Sequence, residues 1–304
     1  VAFCNEKTDS ARLRLLHEIA YSYLWTNSDS TLYYANREIQ LAREKNNKEG
    51  EVIGMVDLSY SLGVVGNYTG SIKTALMALR EAEGINNKKI ISLCYNSLGN
   101  QYADLKNEDN AILYFRKCME IDLRVSDRIR LTHDLINLGM SYFEKNQLDS
   151  SLYYTQEAYK QALAISKWDY DMMGSINIRL GEINEKLNNN DIALAYFRKA
   201  IPSSLFYEDW VDYNDVMMDI ARLHKKLGNT DSCLNYFQEA IYGARKCNYK
   251  KGLLDASQGI TDLYMGVNTD STLKYLIMLT SIKDSLFNEA QIRSVENMTF
   301  NENQ

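Results

Sequence analysis

Proline is almost missing from this chain: Pro202 is the single one in 304 residues, and glycine contributes only 15. These two residues interrupt helices, so their scarcity argues against a turn-rich β architecture and for long helical runs. Positive charge is also in short supply. Lys and Arg total 34 against 40 Asp and Glu, a formal net charge of −6. That balance argues against a nucleic-acid partner, because phosphate neutralisation needs clustered cations. No stretch approaches the roughly 18 consecutive apolar residues of a membrane span. The cysteines are Cys4, Cys94, Cys118, Cys233 and Cys247, an odd number with no C-x-x-C pair, and they give no reading of redox compartment. Histidine is limited to His17, His133 and His224, each without a second ligand at helical spacing, so no metal site is expected. The sequences G-x-x-x-x-G-K-[ST], G-x-G-x-x-G, H-E-x-x-H and G-x-S-x-G are all absent, and neither catalytic residues nor a cofactor are expected.

What the chain does have is a repeat. Taking Ala111 as a ruler, small residues stand at Thr31, Ser71, Ala111, Ser151, Ala193, Cys233 and Thr272, spaced close to 40 residues apart. The next residue is always aliphatic: Leu32, Ile72, Ile112, Leu152, Leu194, Leu234 and Leu273. Two further on stand Tyr34, Thr74, Tyr114, Tyr154, Tyr196, Tyr236 and Tyr275. Two before the small residue come Asp29, Thr69, Asp109, Asp149, Asp191, Asp231 and Asp270. Periodic agreement of this kind signals stacked supersecondary units.

Each column has a physical reason. The Asp column is expected to cap a helix and oppose the positive end of its dipole. The small residue allows close approach of a partner helix, and the small and Tyr positions, three apart, share one face. A preceding helix carries its own small column at Ser59, Gly99, Gly139, Gly181 and Ala221, replaced by Ile19 and Ile260 in the end repeats. Cys118 and Cys233 fall in packed columns and are expected to be buried small hydrophobes.

Leu98-Gly99-x2-Tyr102 followed by Ala111-x3-Phe115 resembles the tetratricopeptide repeat signature. Leu138-Gly139-x2-Tyr142 repeats its first half, and Leu180-Gly181 with Ala193-x3-Phe197 most of it. The period departs from the usual 34 residues, which implies longer helices, and the usual repeat-ending proline is missing. The resemblance implies an all-α fold, a right-handed tetratricopeptide-like solenoid of about seven helical hairpins. The expected repeats are 11–47, 48–87, 88–126, 127–167, 168–209, 210–249 and 250–287, after a leader over 1–10 and before a helical extension over 288–304.

Several segments depart from the pattern. Val1 to Ser10 reads as the remnant of an export signal or a leader, with Cys4 a candidate for lipid attachment. Asn27 to Ser30 forms the first turn. Gly63, Gly66 and Gly70 suggest a looser or bent second repeat. Pro202 is read as the point where a helix meets a linker, with Ser203-Ser204, Phe206, Tyr207 and Trp210 packing over the joint. The terminal stretch reads as a long helix leaving the repeats, a candidate for pairing with a second copy as a homodimer. Within it, Lys283-Asp284-Ser285-Leu286-Phe287-Asn288-Glu289 is similar to a junction in bacterial sensor proteins. In these an exported tetratricopeptide domain precedes a membrane helix and then a histidine kinase or DNA-binding regulator.

In such repeats the first helices line a groove for extended peptides or partner helices. Mapped onto this chain, the implied positions are Tyr60, Asn96, Asn100, Asp104, Asn137, Met140, Arg179, Glu182, Asp219 and Arg222. Asn100 and Asn137 suit a peptide backbone, since an amide offers donor and acceptor together. The paired Lys and Arg of a carboxylate clamp are not reproduced across the second to fourth repeats, which disfavours a chaperone-tail receptor. The expectation is a non-enzymatic domain binding a protein or peptide, the periplasmic or otherwise exported sensor of a bacterial signalling protein. A stand-alone scaffold, and a cytoplasmic location, are the alternatives.

Overall fold

A computed structural model describes residues 8–23, 28–165 and 170–302. The leader through residue 7 with Cys4, the start of the first turn at Asn27, Lys167 and Trp168, and the last two residues lie outside the described residues. Among the described residues there are fourteen α-helices and no strand. The chain divides into two compact units, Val1–Gln147 and Leu148–Gln304.

The first unit holds α1 (Asp9–Tyr23), α2 (Ser28–Glu44), α3 (Lys48–Val64), α4 (Tyr68–Ile85), α5 (Lys88–Asp104), α6 (Glu108–Arg124) and α7 (Arg128–Glu144). Consecutive helices pack together, and α3 also touches α1 and α5. Among α1 to α6 the odd-numbered helices therefore form one layer and the even-numbered helices back it. The second unit holds α8 (Leu148–Leu163), α9 (Tyr170–Lys186), α10 (Asn190–Phe206), α11 (Trp210–Lys226), α12 (Thr230–Lys246), α13 (Lys250–Tyr264) and α14 (Thr269–Glu302). There α11 touches both α9 and α13 in the same way. Each unit is an all-α helical-repeat stack. No helix among the described residues is long and apolar enough to cross a membrane.

The small columns sit at the tightest places. Ser71, Ala111, Ser151, Ala193 and Cys233 are fully buried, as are Cys94 and Cys118. A Cβ added at Gly99 would lie 2.4 Å from the Phe115 ring, and one at Gly181 would lie 2.5 Å from Phe197. Glycine lets each phenyl ring lie flat against the neighbouring backbone, which is close-packing no other residue permits. The Tyr column is only half-buried. Its rings stack on an aromatic near the end of the preceding helix: Tyr34 on Tyr23, Tyr114 on Tyr102, Tyr236 on His224 and Tyr275 on Tyr264.

Three local expectations change. The helix cap is not the Asp column but an asparagine two residues earlier. Asn67 accepts from the Gly70 N–H at 3.0 Å, Asn107 from Asn110 at 3.3 Å and Asn268 from Ser271 at 2.9 Å. Asp109, Asp149, Asp191, Asp231 and Asp270 stand inside the first turn, where they still oppose the dipole. The glycines of the second repeat do not loosen it. Gly63 makes room for Gln101, Gly66 takes the left-handed turn at φ 83°, and Gly70 donates to the cap. Pro202 does not end its helix, because α10 runs on through Ser203 and Ser204 to Phe206. The missing proline N–H frees one carbonyl, that of the exposed Arg198, where water can replace the bond.

Most turns use one residue in the left-handed conformation immediately before the cap, among them Asn46, Asn86, Lys106, Ser126, Asn188 and Glu208. Asparagine tolerates this region and serine does not. Ser126→Gly is expected to raise stability by roughly 0.5 kcal/mol, the relieved strain less the entropy of a free glycine. Urea unfolding at unchanged slope would read it, and a lowered midpoint would contradict it.

Candidate functional site

The odd-numbered helices of the first unit, with one residue of α6, surround a cavity of about 520 Å³. From α1 come His17 and Tyr21, and from α3 come Val56, Asp57, Tyr60 and Val64. The α5 helix supplies Ser92, Leu93, Asn96, Asn100, Gln101 and Asp104, α6 supplies Asp122, and α7 supplies Arg130, His133, Asp134 and Asn137. Helical spacing explains the grouping: 57, 60 and 64, then 93, 96, 100 and 104, then 130, 133, 134 and 137 each fall on one face.

Five of the ten expected groove residues meet here: Tyr60, Asn96, Asn100, Asp104 and Asn137. Met140, in the same unit, is exposed and does not line the cavity. The other four lie in the second unit as two ion pairs. Arg179 contacts Glu182 at 2.8 Å on α9, and Arg222 contacts Asp219 on α11. Beside that second pair, burial pushes Asp215 up to about 6, helped by the Asp219 charge.

Inside the first unit's cavity the polar groups are held in place. The Tyr60 hydroxyl donates to Asn96 Oδ1 at 2.8 Å. Asn100 Nδ2 donates to the Tyr60 oxygen at 3.1 Å and to Asn96 Oδ1 at 3.0 Å. Burial pushes the Tyr60 phenol far above its ordinary range, so it stays a neutral donor. Gln101 is 1% exposed, lines the cavity, and its Oε1 has no partner.

The carboxylates are unusual. Ser92 Oγ donates to Asp122 Oδ2 at 2.7 Å, while Asp122 Oδ1 and Asp134 Oδ2 are buried without partners. Burial, then the neighbouring Asp122 charge, pushes Asp134 up to about 9, so at neutral pH it carries a proton. At the other end, His17 Nδ1 lies 2.6 Å from Asp57 Oδ2, and that bond raises the imidazole above its ordinary value despite its burial. Behind Asp57, burial and the adjacent negative charge hold Glu38 well above the usual carboxylate range. With Asp134 protonated, the lining carries three other aspartates against Arg130 and two histidines, which leaves only a modest negative excess.

The sequence reading missed His17, Asp57, Gln101, Asp122, Arg130 and Asp134 as cavity residues. Their signal was present, since each lies a helical turn from a residue already assigned to the groove, or faces it from the next helix.

Comparisons with known proteins agree with the fold. The family described as tetratricopeptide repeat matches residues 93–124, 174–201 and 215–246. Comparison with curated proteins gives no match. Among solved structures, the Rap conjugation gene regulator of the plasmid pLS20 in complex with the Phr* peptide is similar at TM-score 0.66. It is 14% identical, over 93% of this chain and 78% of that one. NprR in complex with its cognate peptide NprX is similar at TM-score 0.61 and 13% identity, over 92% and 80% of the two chains. Aspartyl phosphate phosphatase F from Bacillus subtilis is similar at TM-score 0.64 and 16% identity, over 86% and 70%.

Proposed function

We propose that this chain, which carries tetratricopeptide repeats, is a non-enzymatic receptor for an extended peptide or protein segment bearing positive charge. The observation that carries the reading is the convergence of Asn96, Asn100 and Asn137 from two helices onto one acid-lined cavity. Side-chain amides pair with a peptide backbone as donor and acceptor at once. The surplus of carboxylates favours a Lys, Arg or amino-terminal charge and speeds its encounter. Two of the similar structures hold peptides, which supports the same class of ligand.

A second reading places this receptor in signalling, as the exported sensor of a bacterial regulator, with a stand-alone scaffold as its alternative. It is favoured by α14, which runs from Thr269 to Glu302 without a break through the junction sequence. That helix exposes Ile277, Phe287 and Ile292, a face suited to pairing two copies.

Fluorescent short peptides, in one cationic and one anionic pool, test the first reading by anisotropy with the full chain. The cationic pool is expected to bind, and Asn137→Ala and Asp104→Asn are each expected to weaken it about tenfold, near 1.4 kcal/mol. Equal binding of both pools, or no loss in either variant, would remove this cavity from the account.

A further inference from the structure

We infer that His17, Glu38 and Asp57 form a binding site for one divalent first-row transition-metal ion of the zinc class. The three residues come from three different helices, α1, α2 and α3, and each offers one ligand atom. The imidazole nitrogen and the two carboxylate oxygens all lie within 4.8 Å of one another. Ions of this class sit about 2.0–2.2 Å from such atoms, which sets ligand atoms roughly 3.3 Å apart around a tetrahedron. Small rotations that widen the 2.6 Å His17–Asp57 contact and draw Glu38 inward would form that triangle.

A second feature points to a ligand. Glu38 is 1% exposed, yet its Oε2 has no hydrogen-bond partner. A buried carboxylate without a partner is costly, and more so beside a second carboxylate. A dication between Glu38 and Asp57 would satisfy both and would use the imidazole as its third ligand. One nitrogen and two oxygens without sulfur suit zinc, manganese or cobalt better than magnesium, which prefers an all-oxygen shell. His17 and Asp57 also line the cavity, so a further coordination position faces it, and the half-exposed His17 leaves a path from solvent.

The test uses the full chain, stripped with chelator and dialysed, titrated with zinc chloride by calorimetry and checked by elemental analysis. One equivalent per chain is expected, with His17→Ala and Glu38→Gln each weakening binding at least tenfold. Glu38→Gln keeps the shape of the side chain, and circular dichroism verifies that the helices persist. Cobalt(II) gives a check independent of any variant, because its visible absorption bands should appear on binding and disappear as zinc displaces it. Less than one equivalent of zinc overturns the site, as does an absence of cobalt bands. An equivalent retained at unchanged affinity in both variants also overturns it, placing the ion elsewhere. Magnesium binding as tightly as zinc overturns the assignment of metal class. This inference stands apart from the peptide receptor: loss of zinc binding with intact peptide binding, or the reverse, separates the two.

Discussion

Asp134→Asn is expected to stabilise the protein, and by on the order of 3 kcal/mol more at pH 8 than at pH 5. Asp134 is 2% exposed and faces Asp122, and its carboxyl is pushed up to about 9. In the unfolded chain an aspartate loses its proton near pH 4. The folded state therefore holds a proton that the unfolded state releases. The sign follows: this carboxyl's contribution is fully present below about pH 4 and is lost progressively as pH rises towards 9. A single such group changes stability by about 1.4 kcal/mol per pH unit within that window, reduced here because Asp122 adjusts as well. Asparagine has the same shape and never ionises, so it lacks the slope. Urea midpoints for the wild type and the variant, measured at pH 5, 6.5 and 8, give the comparison. Equal gains at every pH would mean that Asp134 is ionised in the folded protein.

Phe115→Ala should cost about 3–5 kcal/mol, the transfer loss of a buried ring plus the cavity left behind. Phe115 is 2% exposed and its ring lies across Gly99 of the preceding helix. Gly99→Ala attacks the same contact from the other side. A methyl placed 2.4 Å from a ring carbon forces the hairpin apart, at about 1–3 kcal/mol, offset in part by the better helix propensity of alanine. The two changes are not independent. With the ring removed, the added methyl occupies vacated space, so the double variant should lie about 1–2 kcal/mol above the sum of the singles. Additive losses would mean that Gly99 is present for some reason other than the ring. Gly181 and Phe197 repeat the arrangement in the second unit, and the same cycle there should give a coupling of the same sign.

The repeat was legible because it is periodic. Small and aliphatic residues at fixed offsets report which faces are buried, and no long-range information is needed to see them. The asparagine column is nearly uniform, Asn27, Asn67, Asn107, Asn189, Asn229 and Asn268 with Gln147 the exception, and was overlooked because the Asp column two residues on offered an equally good capping side chain. Pro202 misled because proline is usually a boundary, whereas one close to a helix end costs only the partner of a solvent-facing carbonyl. Tyr60, Asn96 and Asn100 were grouped beforehand because the tetratricopeptide resemblance assigns such first-helix positions to a groove. The cluster of His17, Glu38 and Asp57 was invisible for a different reason. Its members are about 20 residues apart on three helices, and the search for ligands along a single helix cannot see such a set. The partnerless oxygen of Gln101 is likewise a property of packing and leaves no mark in composition.

The bond from Tyr60 to Asn96 has a further consequence. It ties α3 to α5 across two neighbouring hairpins, and Asn100 holds the same phenol from one turn below. A guest that donates to Asn96 Oδ1 would compete with that phenol, exchanging an internal bond for an external one at little net energy. A Tyr60→Phe protein would lose both of the phenol's bonds and leave the Asn96 oxygen open to a donor entering the pocket.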